Sequence, residues 1–213
     1  MVTFLIVRHG FSASNVQATF TGQLDAPLIE KGFLQAEVVS KYIYDNYKVD
    51  AIYSSDLSRA VDTITPLSKA CNLPIIKDKD LREIYGGKWE GVETKDLIAK
   101  YGEVYEKWQR HDPSVRTDGG ESMQELQARA IGALKRIAKG RDGQTVVITT
   151  HGGVIKVLAG AFLNLPMSEW KEKIPYVANA SITVAEYDGE KFVQRAVLDE
   201  YLGDLKTEMP KGI

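Results

Sequence analysis

Residues 2–10 read VTFLIVRHG, and this stretch decides the fold. Its first six residues are apolar, β-branched or aromatic, with Thr3 the one polar member. Such a composition is typical of a strand buried on both faces of a parallel sheet. Arg8, His9 and Gly10 follow at once. The stretch therefore predicts a central strand that carries a cation and a histidine at its carboxyl end.

Residues 145–153, TVVITTHGG, repeat the same order of a buried-type strand, a histidine and a glycine. In open α/β sheets the ligand crevice lies beyond the carboxyl ends of the strands. We therefore expect His9 and His151 on the same rim of one sheet. The glycine after each histidine allows the backbone to approach a ligand closely.

Working outward from these two strands, further strands and helices alternate along the chain. Helical periodicity predicts helices over 30–46, 56–67, 92–110, 122–139 and 153–163. Strand-like runs predict further strands over 51–54, 179–187 and 191–198. This alternation predicts an α/β sandwich with a mainly parallel sheet. No internal repeat or linker interrupts it.

Three local features refine the prediction. Ser55 is a natural N-cap for a helix that starts near Asp56. Pro66 removes a backbone donor and should kink or interrupt that helix. The last dozen residues are polar, and we expect them to be loose.

Size and composition limit the function classes. The chain has 213 residues and a net charge of −2, which predicts one domain over 1–213 and no broad attraction to nucleic acid or membrane. Cys71 is the single cysteine, so no internal disulfide framework is expected. The apolar run at residues 2–7 is too short for a signal peptide core or a membrane span. We therefore expect a cytoplasmic protein, either a monomer or a homodimer.

The paired histidines indicate phosphoryl transfer. A neutral imidazole can attack phosphorus, and a second imidazole, when protonated, can stabilise the transferring group. The equatorial oxygens also need positive charge, which Arg8 and Arg59 can supply from a strand end and from the first turn of the next helix. A surface-loop role remains the alternative for each histidine taken alone. Metal binding is not favoured, because HxH, HExxH and CxxC spacings are missing from the sequence and the arginines would repel a cation.

With these residues in view, the chain resembles the histidine phosphatase superfamily, also called phosphoglycerate mutase-like. The ordered segments that carry the resemblance are Arg8-His9-Gly10 with Ser12 and Asn15, Thr21-Gly22, Ser54 to Ala60, Leu81-Arg82-Glu83 with Gly87, Trp89-Glu90-Gly91, Gly119 to Ser122, and Thr150 to Val154. They extend over about residues 2–185. The resemblance implies a three-layer α/β/α sandwich with a mainly parallel central sheet.

The resemblance also implies roles for individual residues. His9 would be the nucleophile that becomes phosphorylated, and Glu83 the proton donor to the leaving alcohol and later the base for water. A raised carboxyl pKa would suit that acid. The residues expected to bind substrate are Arg8, Ser12, Asn15, Thr21, Gly22, Arg59, His151 and the backbone of Gly152. No cofactor and no metal are expected, and the partner is a small-molecule phosphate ester.

Three functions remain possible: a phosphatase, a 2,3-bisphosphoglycerate-dependent phosphoglycerate mutase, or a non-catalytic phosphate binder. Mutases that resemble this chain carry a longer insertion with adjacent arginines after the acid, whereas Arg110 and Arg116 stand apart here. Intact His9, Glu83 and His151 disfavour the binder. We therefore favour a phosphatase that forms phosphohistidine at His9.

Residues 83–120 are the expected insertion over the active site. Their aromatic side chains favour either a ring-bearing substrate or simple core packing. His111 is expected to be a non-catalytic loop residue that touches substrate only if its loop folds over the site. Phe11 is expected to shape the pocket wall. Sugar phosphates, phosphoglycerates, nucleotide monophosphates and a ribazole phosphate all remain candidate substrates.

Overall fold

The computed structural model describes residues 1–17 and 19–208. The strands in this part of the chain are β1 (Val2–Arg8), β2 (Ala51–Ser54), β3 (Ile75–Lys77), β4 (Thr145–Thr150), β5 (Ile182–Tyr187) and β6 (Phe192–Leu198). The α-helices are α1 (Ala13–Val16), α2 (Glu30–Asn46), α3 (Ser58–Cys71), α4 (Thr94–Gln109), α5 (Met123–Ala138), α6 (Gly152–Phe162) and α7 (Trp170–Lys173). Short 3-10 helices cover Lys79–Leu81, Gly87–Trp89, Met167–Glu169 and Glu200–Leu205.

The strands form one sheet in the order β3-β2-β4-β1-β5-β6. β4 pairs in parallel with β1 on one side and with β2 on the other, and β3 extends this parallel half. β5 and β6 add an antiparallel pair next to β1. The mainly parallel sheet is therefore confirmed, and the two histidine-bearing strands are neighbours at its centre.

Both faces of the sheet are covered, as the apolar run of β1 predicts. Phe4 and Ile6 face a core shared with α5 and α6, whereas Leu5 and Val7 face a core shared with α2 and α3. These alternating contacts give the expected three layers of helix, sheet and helix.

Helix α3 begins and continues differently from the prediction. α3 begins at Ser58 with Leu57 at its N-cap, so the predicted start near Asp56 with a Ser55 cap is wrong. The Ser55 side chain is instead used by His151, as described below. Pro66 lies inside α3 without ending it, and the buried side chains on either side of it, Ile64 and Leu67, hold that helix against the core.

Two other segments also differ from the prediction. β3 was not predicted, because it has only three residues and lies at the sheet edge after Pro74. The end of the chain is not loose as far as Thr207: Leu202 is buried, the Leu205 carbonyl accepts a hydrogen bond from Gln35, and the Thr207 hydroxyl accepts one from the Asn179 amide. Residues 209–213 of the predicted loose tail lie outside the described residues.

The segment 92–110 forms one helical run, α4, with non-helical backbone at Gly102, which agrees with the expected one or two helices. Among the described residues no helix is both long and apolar enough to cross a membrane.

Candidate active site

The two histidines lie together beyond the carboxyl ends of β1 and β4. Arg8 is opposite Thr150 in the parallel register, so the next residues, His9 and His151, leave the sheet at the same edge. The His9 amide donates to the Thr150 carbonyl at 2.9 Å, and the two imidazole centroids are 5.2 Å apart. Both side chains are buried. The predicted pairing of the histidines is therefore present.

His9 is held in one tautomer. Its Nδ1 lies 2.8 Å from the carbonyl oxygen of Gly10, and since a carbonyl can only accept, Nδ1 carries the proton. Nε2 is then the nitrogen with the lone pair. Burial lowers the pKa of His9 well below its usual value, and the positive charges of Arg59 and Arg8 lower it further, against a smaller opposing effect of the Gly10 hydrogen bond. A neutral imidazole with Nε2 available is the form required of a nucleophile.

His151 is held in the opposite tautomer. The Nε of Arg59, which can only donate, points to His151 Nδ1 at 3.3 Å, so Nε2 carries the proton and donates to Ser55 Oγ at 2.8 Å. Burial is the main cause that lowers the pKa of His151 well below its usual value. Smaller contributions in the same direction come from the charges of Arg59, His9, Arg8 and Arg129. Ser55 therefore acts as the partner of His151.

Arg8 and Arg59 lie near the histidines, and their guanidinium groups donate hydrogen bonds to neutral acceptors. Arg59 is 2% exposed and donates to the carbonyls of Gly22 and Leu24 at 2.9 and 2.8 Å. Arg8 donates to the Val177 carbonyl, while its Nε is buried with no partner among the described residues. Two guanidinium groups whose hydrogen-bond acceptors in the described chain are neutral keep positive charge available for an anion.

Glu83 lies on the same rim, held by the first turn of α6. The Gly153 amide donates to Oε2 at 3.0 Å, and the Ile84 amide donates to Oε1 at 2.8 Å. A Cβ on Gly153 would lie 2.2 Å from Glu83 Oε1, so this close approach requires glycine. The structure thus places the predicted acid against the helix turn that follows His151.

Ser12 and Asn15 form a second predicted group. The Ser12 amide and hydroxyl both donate to Asn15 Oδ1 at 3.0 Å. Asn179, which the sequence analysis missed, donates to the same oxygen at 3.2 Å and to the His9 carbonyl at 2.9 Å. The backbone amide of Asn179 in turn donates to the Thr207 hydroxyl at 2.9 Å. No local pattern around Asn179 distinguishes it from an ordinary strand-end asparagine.

Thr21 and Gly22 lie in the turn next to Arg59, and Gly22 contributes a carbonyl to that guanidinium. Thr21 accepts from the Leu24 amide, and Gly22, at φ +52°, accepts from Arg59. Glu90 holds this turn, since its Oε1 accepts from the amides of Gln23 at 2.7 Å and of Gly86 at 3.0 Å. Glu90 stands in one of the segments that carry the family resemblance, but no role was predicted for it from the sequence.

Gly152 opens α6 directly after His151, with the Arg8 guanidinium carbon 3.4 Å from the position of a Cβ. This places the Gly152 backbone beside the Arg8 guanidinium. Phe11 is partly buried beside Lys31, 5.9 Å from the ring centroid.

The aromatic residues of 83–120 divide between packing and exposure. Trp89 and Tyr105 are buried in a small cluster with Leu97, against which Phe20, Tyr101 and Trp108 pack. Tyr85, two residues after the predicted acid, is 44% exposed. Core packing therefore accounts for these side chains apart from Tyr85. Among the described residues no group of three or more histidine, cysteine or acidic side chains is arranged to hold a metal ion.

Comparisons with known proteins agree on the kind of protein. The model of the histidine phosphatase superfamily (branch 1) matches residues 4–200. Phosphoserine phosphatase 1 of Hydrogenobacter thermophilus is 30% identical, with 100% of both chains covered. A probable phosphoglycerate mutase GpmB of Shigella dysenteriae is 32% identical, with 96% of this chain and 94% of that protein covered. The solved structure of Bacillus stearothermophilus YhfR superposes with a TM-score of 0.85 at 31% identity, covering 91% of this chain and 95% of that one.

Proposed function

The chain belongs to the histidine phosphatase superfamily, and we propose that it hydrolyses small phosphate monoesters through a phosphohistidine formed on His9. One observation carries the proposal. Two buried imidazoles, 5.2 Å apart, lie beside two guanidinium groups that donate to neutral acceptors within the described chain. That arrangement provides a nucleophile and positive charge for the equatorial oxygens of a phosphoryl group.

The first half-reaction uses the tautomer of His9. Nε2 attacks phosphorus while the bond to the ester oxygen breaks, and Glu83 transfers its proton to the departing alcohol. Arg8, Arg59 and His151 bind the phosphoryl oxygens, with Ser12, Asn15, Thr21, Gly22 and Gly152 lining the pocket. The negative charge of the phosphoryl group opposes the lowered pKa of His151 and favours its protonated form during transfer.

The second half-reaction returns the enzyme to its starting state. The Glu83 carboxylate takes a proton from water, the water oxygen attacks phosphorus, and the bond from phosphorus to His9 Nε2 breaks. Inorganic phosphate leaves, and Glu83 is again protonated for the next ester. None of these steps calls for a metal or cofactor.

The same proposal includes the surroundings of the site. Residues 83–120 cover the pocket, starting from Glu83 and fastened by Glu90 to the turn that carries Gly22. The proposal also includes a cytoplasmic location and a protein that is a monomer or a homodimer.

A phosphoglycerate mutase is the second candidate, favoured by the relative of that name. In a mutase the phosphohistidine returns its phosphoryl group to a second position of the substrate and not to water. A non-catalytic phosphate binder is the third, and the ordered histidines and acid speak against it.

The test is hydrolysis of p-nitrophenyl phosphate with EDTA present, in wild type and in His9→Ala. We expect EDTA-resistant hydrolysis that His9→Ala abolishes while its circular dichroism stays native. Parallel tubes hold 3-phosphoglycerate with and without 2,3-bisphosphoglycerate. Rapid, bisphosphoglycerate-stimulated isomerisation with weak hydrolysis would make the protein a mutase, and binding of phosphate without turnover in any tube would make it a binder.

A further inference from the structure

The tautomer of His9 depends on the direction of one peptide group. The Gly10 carbonyl, which accepts from His9 Nδ1, belongs to the peptide between Gly10 and Phe11. In a planar trans peptide the carbonyl and the N–H point in opposite directions. Whatever binds the Phe11 amide therefore also fixes the direction of the Gly10 carbonyl, and with it the nitrogen of His9 that carries the proton.

Gln35 of α2 binds that amide. The Phe11 N–H donates to Gln35 Oε1 at 2.7 Å, and Gln35 Nε2 donates to the Leu205 carbonyl at 2.8 Å. Because an amide N–H can only donate and a carbonyl can only accept, the two ends of the Gln35 side chain cannot be exchanged. Gln35 is 0% exposed, so neither bond competes with bulk water.

The first turn of α2 packs directly on the same peptide. A Cβ on Gly32 would lie 2.0 Å from the Phe11 carbonyl oxygen, and a Cβ on Gly10 would lie 2.7 Å from the Gly32 carbonyl oxygen. The Phe11 carbonyl also accepts from the Ile29 amide at 3.1 Å. Gln35 is three positions after Gly32, and its side chain therefore projects from the same face of the helix. This packing keeps Gln35 at a fixed distance from the Phe11 amide.

The C-terminal segment holds the other end of the Gln35 side chain. Leu205 ends the 3-10 helix Glu200–Leu205, and Leu202 of that helix is buried in the core that α2 shares. The Tyr201 ring stacks on Tyr42 of α2 with the two centroids 4.3 Å apart. One chain of hydrogen bonds thus leads from the Leu205 carbonyl, through Gln35 and the peptide after Gly10, to the His9 ring.

We propose that Gln35 is a positioning residue that keeps the proton of His9 on Nδ1, so that Nε2 is free to attack phosphorus. The inference rests on the proposed role of His9 as nucleophile and adds the group that controls its tautomer. Gln35 acts through the Gly10–Phe11 peptide and not on the substrate. Its loss should therefore slow phosphoryl transfer and leave the binding of phosphate unchanged.

The experiment follows both the tautomer and the kinetics of Gln35→Met, which removes the amide group and keeps a side chain of similar length. Long-range proton–nitrogen correlation spectra distinguish the protonated ring nitrogen from the other, and the His9 signals are identified by their loss in His9→Gln. We expect the proton on Nδ1 in wild type and a substantial share on Nε2 in Gln35→Met. For p-nitrophenyl phosphate, kcat/KM should fall about 10- to 100-fold, because a misplaced reacting group costs about that much. The inhibition constant of inorganic phosphate should not change.

Gln35→Glu and Val39→Ala are the comparison variants. A carboxyl group at position 35 accepts from the Phe11 amide whether or not it is protonated, so Gln35→Glu should keep the wild-type tautomer and most of kcat/KM. Val39 lies one turn further along α2 and is 0% exposed in the core. Val39→Ala should therefore cost stability in urea unfolding and leave the tautomer as it is.

The wild-type tautomer in Gln35→Met would overturn the inference, and so would loss of the Nδ1 proton in Gln35→Glu or an equal fall in kcat/KM for Gln35→Met and Val39→Ala. A proton on Nε2 of His9 in wild type would overturn it as well. Lack of hydrolysis in wild type would instead refute the proposed function, and the spectra of the Gln35 variants would still decide the inference.

Discussion

Arg129 offers the sharpest test of how the acid is positioned. Its guanidinium donates to the carbonyls of Asp80, Arg82 and Glu83 at 2.8, 3.0 and 3.2 Å, and it forms a two-point ion pair with Glu121. These bonds fix the backbone on which Glu83 stands. We expect Arg129→Met to loosen that backbone while the histidines and Arg59 stay in place.

The structure sets the size of both effects. The side chains of Arg129 and Glu121 are 17% and 18% exposed, so the pair is largely buried. The usual cost of breaking a buried pair, reduced for this partial exposure to water, predicts a loss of about 2–4 kcal/mol in the free energy of unfolding. General acid catalysis is worth about 10²–10⁴-fold, and a misplaced acid should lose about 100-fold of it on a poor leaving group. Nitrophenolate leaves without a proton, so p-nitrophenyl phosphate should lose less than about fivefold.

The assay is the ratio of kcat/KM for an alkyl phosphate to that for p-nitrophenyl phosphate, measured beside urea unfolding. Arg136→Met is the control: the residue lies on α5 seven positions later and pairs with Asp78 and Asp80 at 2.6 and 2.9 Å. It should cost stability and leave the ratio unchanged. The double variant Glu121→Met/Arg129→Met should recover stability, because no carboxylate is left unpaired, without recovering the ratio.

An equal fall on both substrates would refute this reasoning, because it would show that Arg129 supports the fold as a whole and not the acid. An unchanged ratio would show that the amides of Gly153 and Ile84 hold Glu83 without help.

Three further predictions follow from contacts in the site. Gly153→Ala places a Cβ 2.2 Å from the proposed acid and should lower alkyl phosphate turnover selectively, whereas Gly132→Ala, with open space around it, should not change it in the same leaving-group assay. Ser55→Ala leaves a buried imidazole N–H unpaired, so we expect a loss of about 1–3 kcal/mol in urea unfolding and a lower kcat; unchanged stability would contradict the tautomer assigned to His151. The pKa values of His9 and His151 are lowered in the folded state, so below pH about 6.5 the unfolded chain binds protons that the folded chain does not. The free energy of unfolding should therefore fall as the pH drops below about 6.5, by up to about 2.7 kcal/mol per pH unit for the two groups together. Replacing both by glutamine should flatten urea-unfolding profiles between pH 7 and 5, and an unchanged slope would show that other groups cause the acid sensitivity.

The parts of the site that the sequence predicts are those set by local pattern and sheet direction. A buried apolar run followed by histidine and glycine predicts a strand end, and two parallel strands place both ends on one rim. Glu83 could be assigned only through the resemblance, because its position depends on Arg129 and Gly153, far away in the chain. Asn179 joins the His9 carbonyl 170 residues away, a contact that no local pattern predicts.

Ser55 shows how a sound local rule fails. A serine before a helical stripe is an ordinary N-cap, and the prediction follows directly from helix propensities. In the folded chain its hydroxyl bonds to His151, 96 residues later, and the helix begins three residues further on. A side chain that departs from the role its neighbours predict is frequently a functional one.

The two histidines occupy nearly identical sequence contexts, yet the structure gives them different chemistry. The difference comes from their partners: a backbone carbonyl binds Nδ1 of His9, whereas Ser55 binds Nε2 of His151. His9 is thereby left with the lone pair on Nε2, and His151 with the lone pair on Nδ1 directed at Arg59. Because His9 keeps a free lone pair on Nε2 while both ring nitrogens of His151 are already bonded, these hydrogen bonds support the proposed assignment of His9 as the nucleophile.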